Sequence, residues 1–529
     1  MLISRLTFFG QNVVARPSKK PLCIAATCSL ALSACALSPP YQAPTPPATR
    51  DYTATPTPAK TATAPGPGGA AQSFVYGKGP QSQWWRLYGS SELDHLVDRA
   101  IQNSPTVAAA AAKLRQAEAA TRANEGIFYP QVNGNLSATR QKNSTASYSG
   151  RGPGNIFSVY NGNVAVTYYP DFFGVNRLVY KGSLAQQDFQ RYELEAARLS
   201  LTGNVVNAYL GAVAAEAQIQ ATRTIVQGQK NLLGLVRAQY HAGAAPYLNV
   251  VNQEAQLASA EATLPPLQQG LSQYRHQLAV LVGDLPSNFQ VQPAQLDSLH
   301  LPGRIPVSLP AELVRQRPDI RAAEAQLRYA NAQVGVAVAQ MYPSLSLTGT
   351  FGQSSLTLGR FLDSMSNIWS LAANLTAPIF RGGTLEAQKE EAKAAFDATL
   401  AQYQQTVLGA FQQVADAMRA VEHDAQTLNA QGRSLRAAQE GLTLAQTSYR
   451  AGALDYLSLL TAQVQYQTAR IAYVRVQAQR YQDTGALFLA LGGGWQTVSG
   501  TQNGPSMGGS GVTQAPAGAY NGTKTVETK

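Results

Sequence analysis

The sequence predicts a membrane α+β protein built by internal tandem duplication, with four membrane β-strands and two helices of ~100 Å in each chain. Three observations carry this: ordered self-similarity between the halves, segments in each half that alternate apolar with small polar residues, and two long proline-free stretches of helix-forming composition. Only 13% of the 529 residues are charged, against ~25% in ordinary soluble domains. A charged globular surface is not what this chain builds.

Residues 1–34 form a signal peptide. Arg5, Arg16, Lys19 and Lys20, with no acid among them, precede an apolar run from Pro21 to Leu32 that is too short to cross a bilayer, and the small pair Ser33-Ala34 follows. The three cysteines, Cys23, Cys28 and Cys35, all lie at this end, so the body offers no thiol for a disulfide, an iron–sulfur cluster or a nucleophile. Leu32-Ser33-Ala34-Cys35 resembles the bacterial lipobox. That resemblance implies that Cys35 becomes the mature N-terminus, carrying S-linked diacylglycerol and an N-palmitoyl chain; the alternative is a chance cysteine beside an ordinary cleavage site. At ~0.8 kcal/mol per buried methylene, such chains make a permanent anchor. Ala36 at the next position fits lipoproteins sorted to the outer membrane, where an Asp would favour the inner one.

Residues 35–80 are thus expected to hold the lipidated cysteine and a proline-rich, extended tether. Residues 493–529, rich in Gly, Ser and Thr, are expected to be a disordered tail. The formal charge of +11 forms no basic patch and falls when the signal leaves, which gives no case for nucleic-acid binding.

Between these ends lie two repeats, 81–290 and 291–492. Pro105, Leu114-Arg115 and Tyr129-Pro130 recur at one constant offset as Pro318, Leu327-Arg328 and Tyr342-Pro343. "YYPDFFG" aligns with "TAPIFRG", "YHAGAAPYL" with "YRAGALDYL", and Gly283 with Gly492, in the same order. Each repeat opens with a helix, one of them 318–341, that starts at Pro and stops at the Tyr-Pro pair.

A change to a period of two then predicts β-hairpins over 131–170 and 343–380. Leu345, Leu347, Gly349 and Phe351 share one face of the third strand, opposite Ser344, Ser346, Thr348 and Thr350, and Trp369, Leu371, Ala373 and Leu375 repeat the pattern opposite Ser370, Ala372 and Asn374. Long helices are predicted over 177–242 and 384–451, each returning through a second helix, 247–282 or 455–491; Pro265-Pro266 should kink or break the first return. Four strands cannot close a barrel, and open edges in lipid cost several kcal/mol per unsatisfied backbone group. Other copies must complete it. Small polar inward faces suit a wet lumen, hence a trimer or larger rather than a filled dimeric barrel.

Together the lipobox, "WWRLYGSSELDHLVDRAIQNSP", "LPAELVRQRPDIRAAEAQLRYANAQVGVAVAQMYPSLSLTG", "APIFRGG" and "YRAGALDYLSLLTAQ" resemble the outer membrane factor family of TolC-like efflux channels, and more narrowly its NodT-type lipoprotein branch. The resemblance implies a homotrimer in which three chains build one 12-stranded outer-membrane β-barrel continued by a 12-helix periplasmic α-barrel. It implies the exit channel of a tripartite efflux pump, joined through a periplasmic adaptor protein to an inner-membrane transporter, with no cofactor and no enzymatic step. A protein-export duct with an ATP-driven partner shares that fold; a lipid-anchored periplasmic coiled-coil scaffold would explain the helices but not the hairpins.

By the same resemblance the adaptor-contact turns are Tyr240 to Gly243 and Tyr449 to Gly452, and Leu457, Ser458 and Thr461 line the gate, with Asp455, one turn nearer the tip, as a further candidate. The family often carries aspartates where this chain has Ser458 or Thr461, so Asp455 either supplies the missing carboxylate or caps its helix. Phe172, Phe173 and Phe380 are candidates for an aromatic belt, whereas Trp84-Trp85 suit packing at the equator. The five histidines show no metal-ligand spacing, and no Walker loop or HExxH is present.

Overall fold

The computed structural model describes residues 41–49, 51–142 and 156–494. Cys35, the signal segment, residues 495–529 and the Gly150–Gly154 stretch lie outside them.

The chain enters through a strap that ends in β1 (Ser73–Tyr76), passes a 3-10 turn at Trp84–Tyr88, and forms α1 (Ser91–Asn103), α2 (Pro105–Glu125), β2 (Gln131–Lys142) and β3 (Ile156–Tyr168). It continues through α3 (Val175–His241), α4 (Tyr247–Ala262), α5 (Leu264–Leu281), β4 (Arg304–Val307) and α6 (Pro310–Gln316). The second half adds α7 (Pro318–Ala339), β5 (Ser344–Ser355), β6 (Asn367–Thr376), α8 (Thr384–Arg450) and α9 (Tyr456–Ala490).

Prolines at the first helical position start α2, α6 and α7, where a missing N–H costs nothing. The return helix of the first half breaks at Thr263, just before Pro265-Pro266, while α9 in the second half, without prolines, runs 35 residues unbroken. Both α3 and α8 span 67 residues, about 100 Å. They share neighbours: α3 packs on α2, α4, α5, α7 and α9, and α8 packs on α7 and α9.

β2, β3, β5 and β6 form one antiparallel sheet in that order, so β2 and β6 are its open edges. The register places Gly134, Val164, Phe351 and Trp369 in one cross-strand row and Val132, Val166, Gly349 and Leu371 in the next. Opposed residues share a face, so most of the apolar side chains of the four strands collect on one side, with Phe157, Val159 and Ile368 on the other. There they are bare, Leu371 being 81% exposed. The strands of 10–13 residues extend about 33–43 Å, enough to cross a ~25 Å apolar band when tilted. Among the described residues no helix is long and apolar enough to cross a membrane.

The main core sits where the helices meet the strap and the parallel pair β1–β4, which joins Ser73–Tyr76 to Arg304–Val307. Trp84 and Trp85 are buried there, Trp84 stacked on Phe488 at 5.4 Å between centroids, and Tyr88 donates to the Tyr481 carbonyl at 2.8 Å. The described part of the segment expected to be an extended tether is docked on the helical body: Tyr52 donates to the Ser308 carbonyl at 2.8 Å, and Thr61 pairs with Gln72 across the strap's turn. Arg480 of α9 holds that turn. With 0% exposure it donates to the carbonyls of Gly68 and Ala70 and to the side chains of Thr61 and Gln72. A buried guanidinium needs every donor matched. Proline-rich composition removes backbone donors, so this partner on a distant helix was not legible in the strap's own residues.

Candidate functional site

The site residues expected from the sequence lie at the far tip of the helices, and the polar strand residues line one face of the sheet. On the sheet, Asn135 donates to Asn163 at 3.2 Å, Ser354 to Asn161 at 2.7 Å, and Thr350 shares a hydrogen bond of 2.6 Å with Ser370. Ser344, Ser346 and Thr348 follow the same side of β5 by strand alternation. No charged side chain lies in these rows, where Gly352, Ala165 and Ile368 interrupt the hydroxyls and amides. Such a surface is wetted without binding any one ion tightly.

At the tip the duplicated turns have the same local chemistry. α3 ends through Gly243 at φ 72°, with the amide of Ala244 reaching back to the Gln239 carbonyl at 2.8 Å and that of Gly243 to Tyr240 at 3.0 Å. α8 ends the same way through Gly452 at φ 73°, with Ala453 bonded to the Ser448 carbonyl at 2.9 Å and Gly452 to Tyr449 at 3.1 Å. Glycine is required at both because a Cβ disfavours that left-handed backbone. Each turn is braced by an aromatic pair across it, Tyr240 with Tyr247 at 5.4 Å and Tyr449 with Tyr456 at 6.3 Å.

The second turn leads straight into α9, whose first residues divide by face. Tyr456 and Leu459 are buried among Leu233, Val236, Val250 and Tyr449, while Leu457, Ser458 and Thr461 share the opposite, exposed face. The Asp455 carboxylate accepts from the Ser458 amide at 2.9 Å, and the hydrogen bonds from Ser458 hold its pKa below the ordinary carboxylate value. Asp455 is the helix cap. Its charge is fully exposed all the same, beside the hydroxyl face. Thr461 spends its hydroxyl on the Leu457 carbonyl at 2.9 Å.

A further group at the tip escaped the sequence reading. Tyr456 donates to Gln253 Oε1 at 3.0 Å, and the Gln253 amide donates in turn to the side chain of Gln229, tying α9, α4 and α3 together. Gln229 and Gln253 are both fully buried. The signal was available: Gln253 stands between Val250 and Leu257 at helical spacing, where an apolar residue is expected. Elsewhere, Phe173 stacks on Tyr342 at 5.3 Å, while Phe172 and Phe380 project free near the sheet's helical end.

The sequence profile described as "Outer membrane efflux protein" matches residues 96–284 and 309–493. The chain is 33% identical over 420 residues to the pyoverdine export outer membrane protein OpmQ of Pseudomonas aeruginosa, covering 78% of this chain and 88% of that one. It is 28% identical over 483 residues to the cation efflux system protein CusC of Escherichia coli, covering 90% and 98%. Among solved structures it is similar to the outer-membrane channel OprN, with a TM-score of 0.79 and 28% identity over 87% of this chain and 100% of that one.

Proposed function

Since the chain belongs to the outer membrane efflux protein family, we propose that it is the outer-membrane exit channel of a tripartite pump, passing drugs or other small molecules across the periplasm and outer membrane. The observation that carries this reading is the four-stranded sheet with an apolar and a polar face, two open edges, and two 67-residue helices leading away from it. Open edges demand partners in lipid. Three copies, each supplying four strands, give a ring of twelve around a wetted lumen, and α8 and α2 of adjacent copies close the helical wall beneath it.

The channel performs no chemistry; the work comes from an inner-membrane transporter, proton-driven on this reading, coupled through a periplasmic adaptor. The adaptor meets the turns at Tyr240–Gly243 and Tyr449–Gly452, and Leu457, Ser458 and Thr461 line the aperture with Asp455 at its rim. Cys35 carries the lipid. Because the barrel already holds the protein in the membrane, the acyl chains are a supporting anchor, and Cys35→Ala delivered with a cleavable signal retains localised trimer.

The test is a deletion strain challenged with a compound panel and complemented with the intact chain. Sensitisation relieved by the chain, and not by a chain with Gly452→Val at the tip turn, is the expected result. Unchanged sensitivity across dyes, detergents, antibiotics, siderophores and metals would overturn the efflux reading.

A further inference from the structure

The loop between β5 and β6 is not a bare connection. Leu358–Arg360 and Ser364–Ser366 each form a 3-10 turn, and the loop's own carbonyls take its amides: Arg360 to Thr357, Phe361 to Leu358, Asp363 to Arg360 and Ser366 to Asp363. The Ser366 hydroxyl adds a bond of 2.7 Å to the Arg360 carbonyl. Each amide satisfied within the loop lowers the cost of taking it out of water.

Its position is fixed by one aromatic ring. A Cβ on Gly162 would lie 2.7 Å from the Phe361 ring and 3.3 Å from the Leu136 side chain. Gly162 pairs with Leu136 on β2 and with Gln353 on β5. The ring therefore rests on the apolar face of the sheet, two residues inside the end of β5 remote from the helices. β2 and β3 pair on to Lys142 and Ile156, past this level. The loop thus leans on the projecting hairpin from the side that faces lipid.

Its remaining large side chains have no cover. Leu362 and Met365 are each 85% exposed, and Leu356 and Leu358 are exposed beside them. Leu371 and Trp369 of β6, on the apolar face of the sheet, are bare as well. The only charged residues of the loop, Arg360 and Asp363, set its depth at the headgroup boundary rather than in the hydrocarbon.

We infer that Leu356–Ser366 is a membrane-seated collar: Phe361 locks it against the Gly162 notch, and Leu358, Leu362 and Met365 insert among the acyl chains of the outer leaflet. This rests on the outward assignment of the apolar sheet face. The occupant is lipid because Phe361 seats the loop on the same face as the bare apolar residues of the sheet, beyond the self-paired Gln353 and Asn367.

The body of the chain has no cysteine, so a single thiol can report position. Leu362→Cys and, as a reference on the sheet, Leu371→Cys are labelled with an environment-sensitive fluorophore, and the full-length protein is reconstituted in phosphatidylcholine vesicles. Lipids bearing a nitroxide near the headgroup should quench the Leu362 label several-fold more than aqueous iodide does. The Leu371 label should be quenched by nitroxides placed deeper in the chain. Adding Gly162→Val, which displaces the Phe361 ring, should shift the Leu362 label toward iodide.

Quenching of Leu362 by iodide alone overturns the collar in favour of a solvated loop. Quenching by neither agent overturns it in favour of burial against a neighbouring copy, and an unchanged signal with Gly162→Val removes the notch. If the Leu371 label too escapes the lipid quenchers, it is the barrel reading itself that fails.

Discussion

Asp424 on α8 is the most perturbed acid among the described residues. Burial first, then its hydrogen bond and repulsion with Asp483, push its pKa up to about 8, with Arg480 pulling the other way. An unfolded Asp titrates near ~3.9. Between these values the folded state holds a proton that the unfolded state has released, so stability is greatest below pH ~4 and declines as pH rises toward 8. Asp424→Asn, neutral throughout, should flatten the thermal-denaturation midpoint between pH 5 and 8 and raise it at pH 8. An unchanged slope would show that the proton is not held there. At Asp455 the cap and the charge separate cleanly. Asp455→Asn keeps an acceptor for the Ser458 amide, so hydrogen exchange at Ser458 should stay slow, whereas Asp455→Ala should accelerate it. If Asp455→Asn nonetheless lowers cation selectivity in single-channel recordings, the carboxylate acts on ions as well. Asp424 could not have been found by spacing, because Asp483 reaches it from another helix. Asp455 could, since an Asp just after a Gly-ended helix and before a Tyr-Leu run has the sequence of a cap.

At the scale of elements, two contacts on α9 set how freely it moves. Arg480 fastens the strap, and Arg480→Met would leave the Gly68 and Ala70 carbonyls and the Thr61 and Gln72 side chains without their donor, at about 1–3 kcal/mol for each stranded acceptor. Limited proteolysis followed by mass spectrometry should then cut first within 61–72. Cleavage elsewhere, at the wild-type rate, would contradict the clasp. At the tip, the Tyr456–Gln253–Gln229 chain is the only side-chain hydrogen-bond network among the described residues joining α9 to both α3 and α4 there. Tyr456→Phe or Gln253→Leu should loosen the aperture and raise single-channel conductance. Periodicity located the hairpins and long helices because alternation and the lack of proline are local properties. The strap, the parallel β1–β4 pair and the glutamine network were hidden because each joins residues hundreds or tens of positions apart, and two of them rest on polar atoms that a hydropathy pattern cannot pair.

For the whole molecule, the internal repeat accounts for more than any single residue. Duplication gives two hairpins and two long helices, yet the halves are not equivalent: the first return helix is split before Pro265-Pro266 and the second is continuous. In a single chain α8 carries exposed apolar residues, Leu408 and Leu444 among them, just as β6 is bare at the sheet's edge. In a barrel closed by further copies, β6 of one chain meets the other open edge, β2, of the next. The sequence made the need for partners legible through the impossibility of closing four strands, while the number three came only with family resemblance. The decisive measurement is a disulfide scan between those edges: a cysteine at Ser370 in β6 combined in turn with one at each of 131–139 in β2. After oxidation in membranes, non-reducing electrophoresis should give, for one register and its near neighbours, covalent species that stop at three chains. Cross-linking that is absent at every register, or that forms a ladder continuing beyond three, would contradict a barrel closed by three copies.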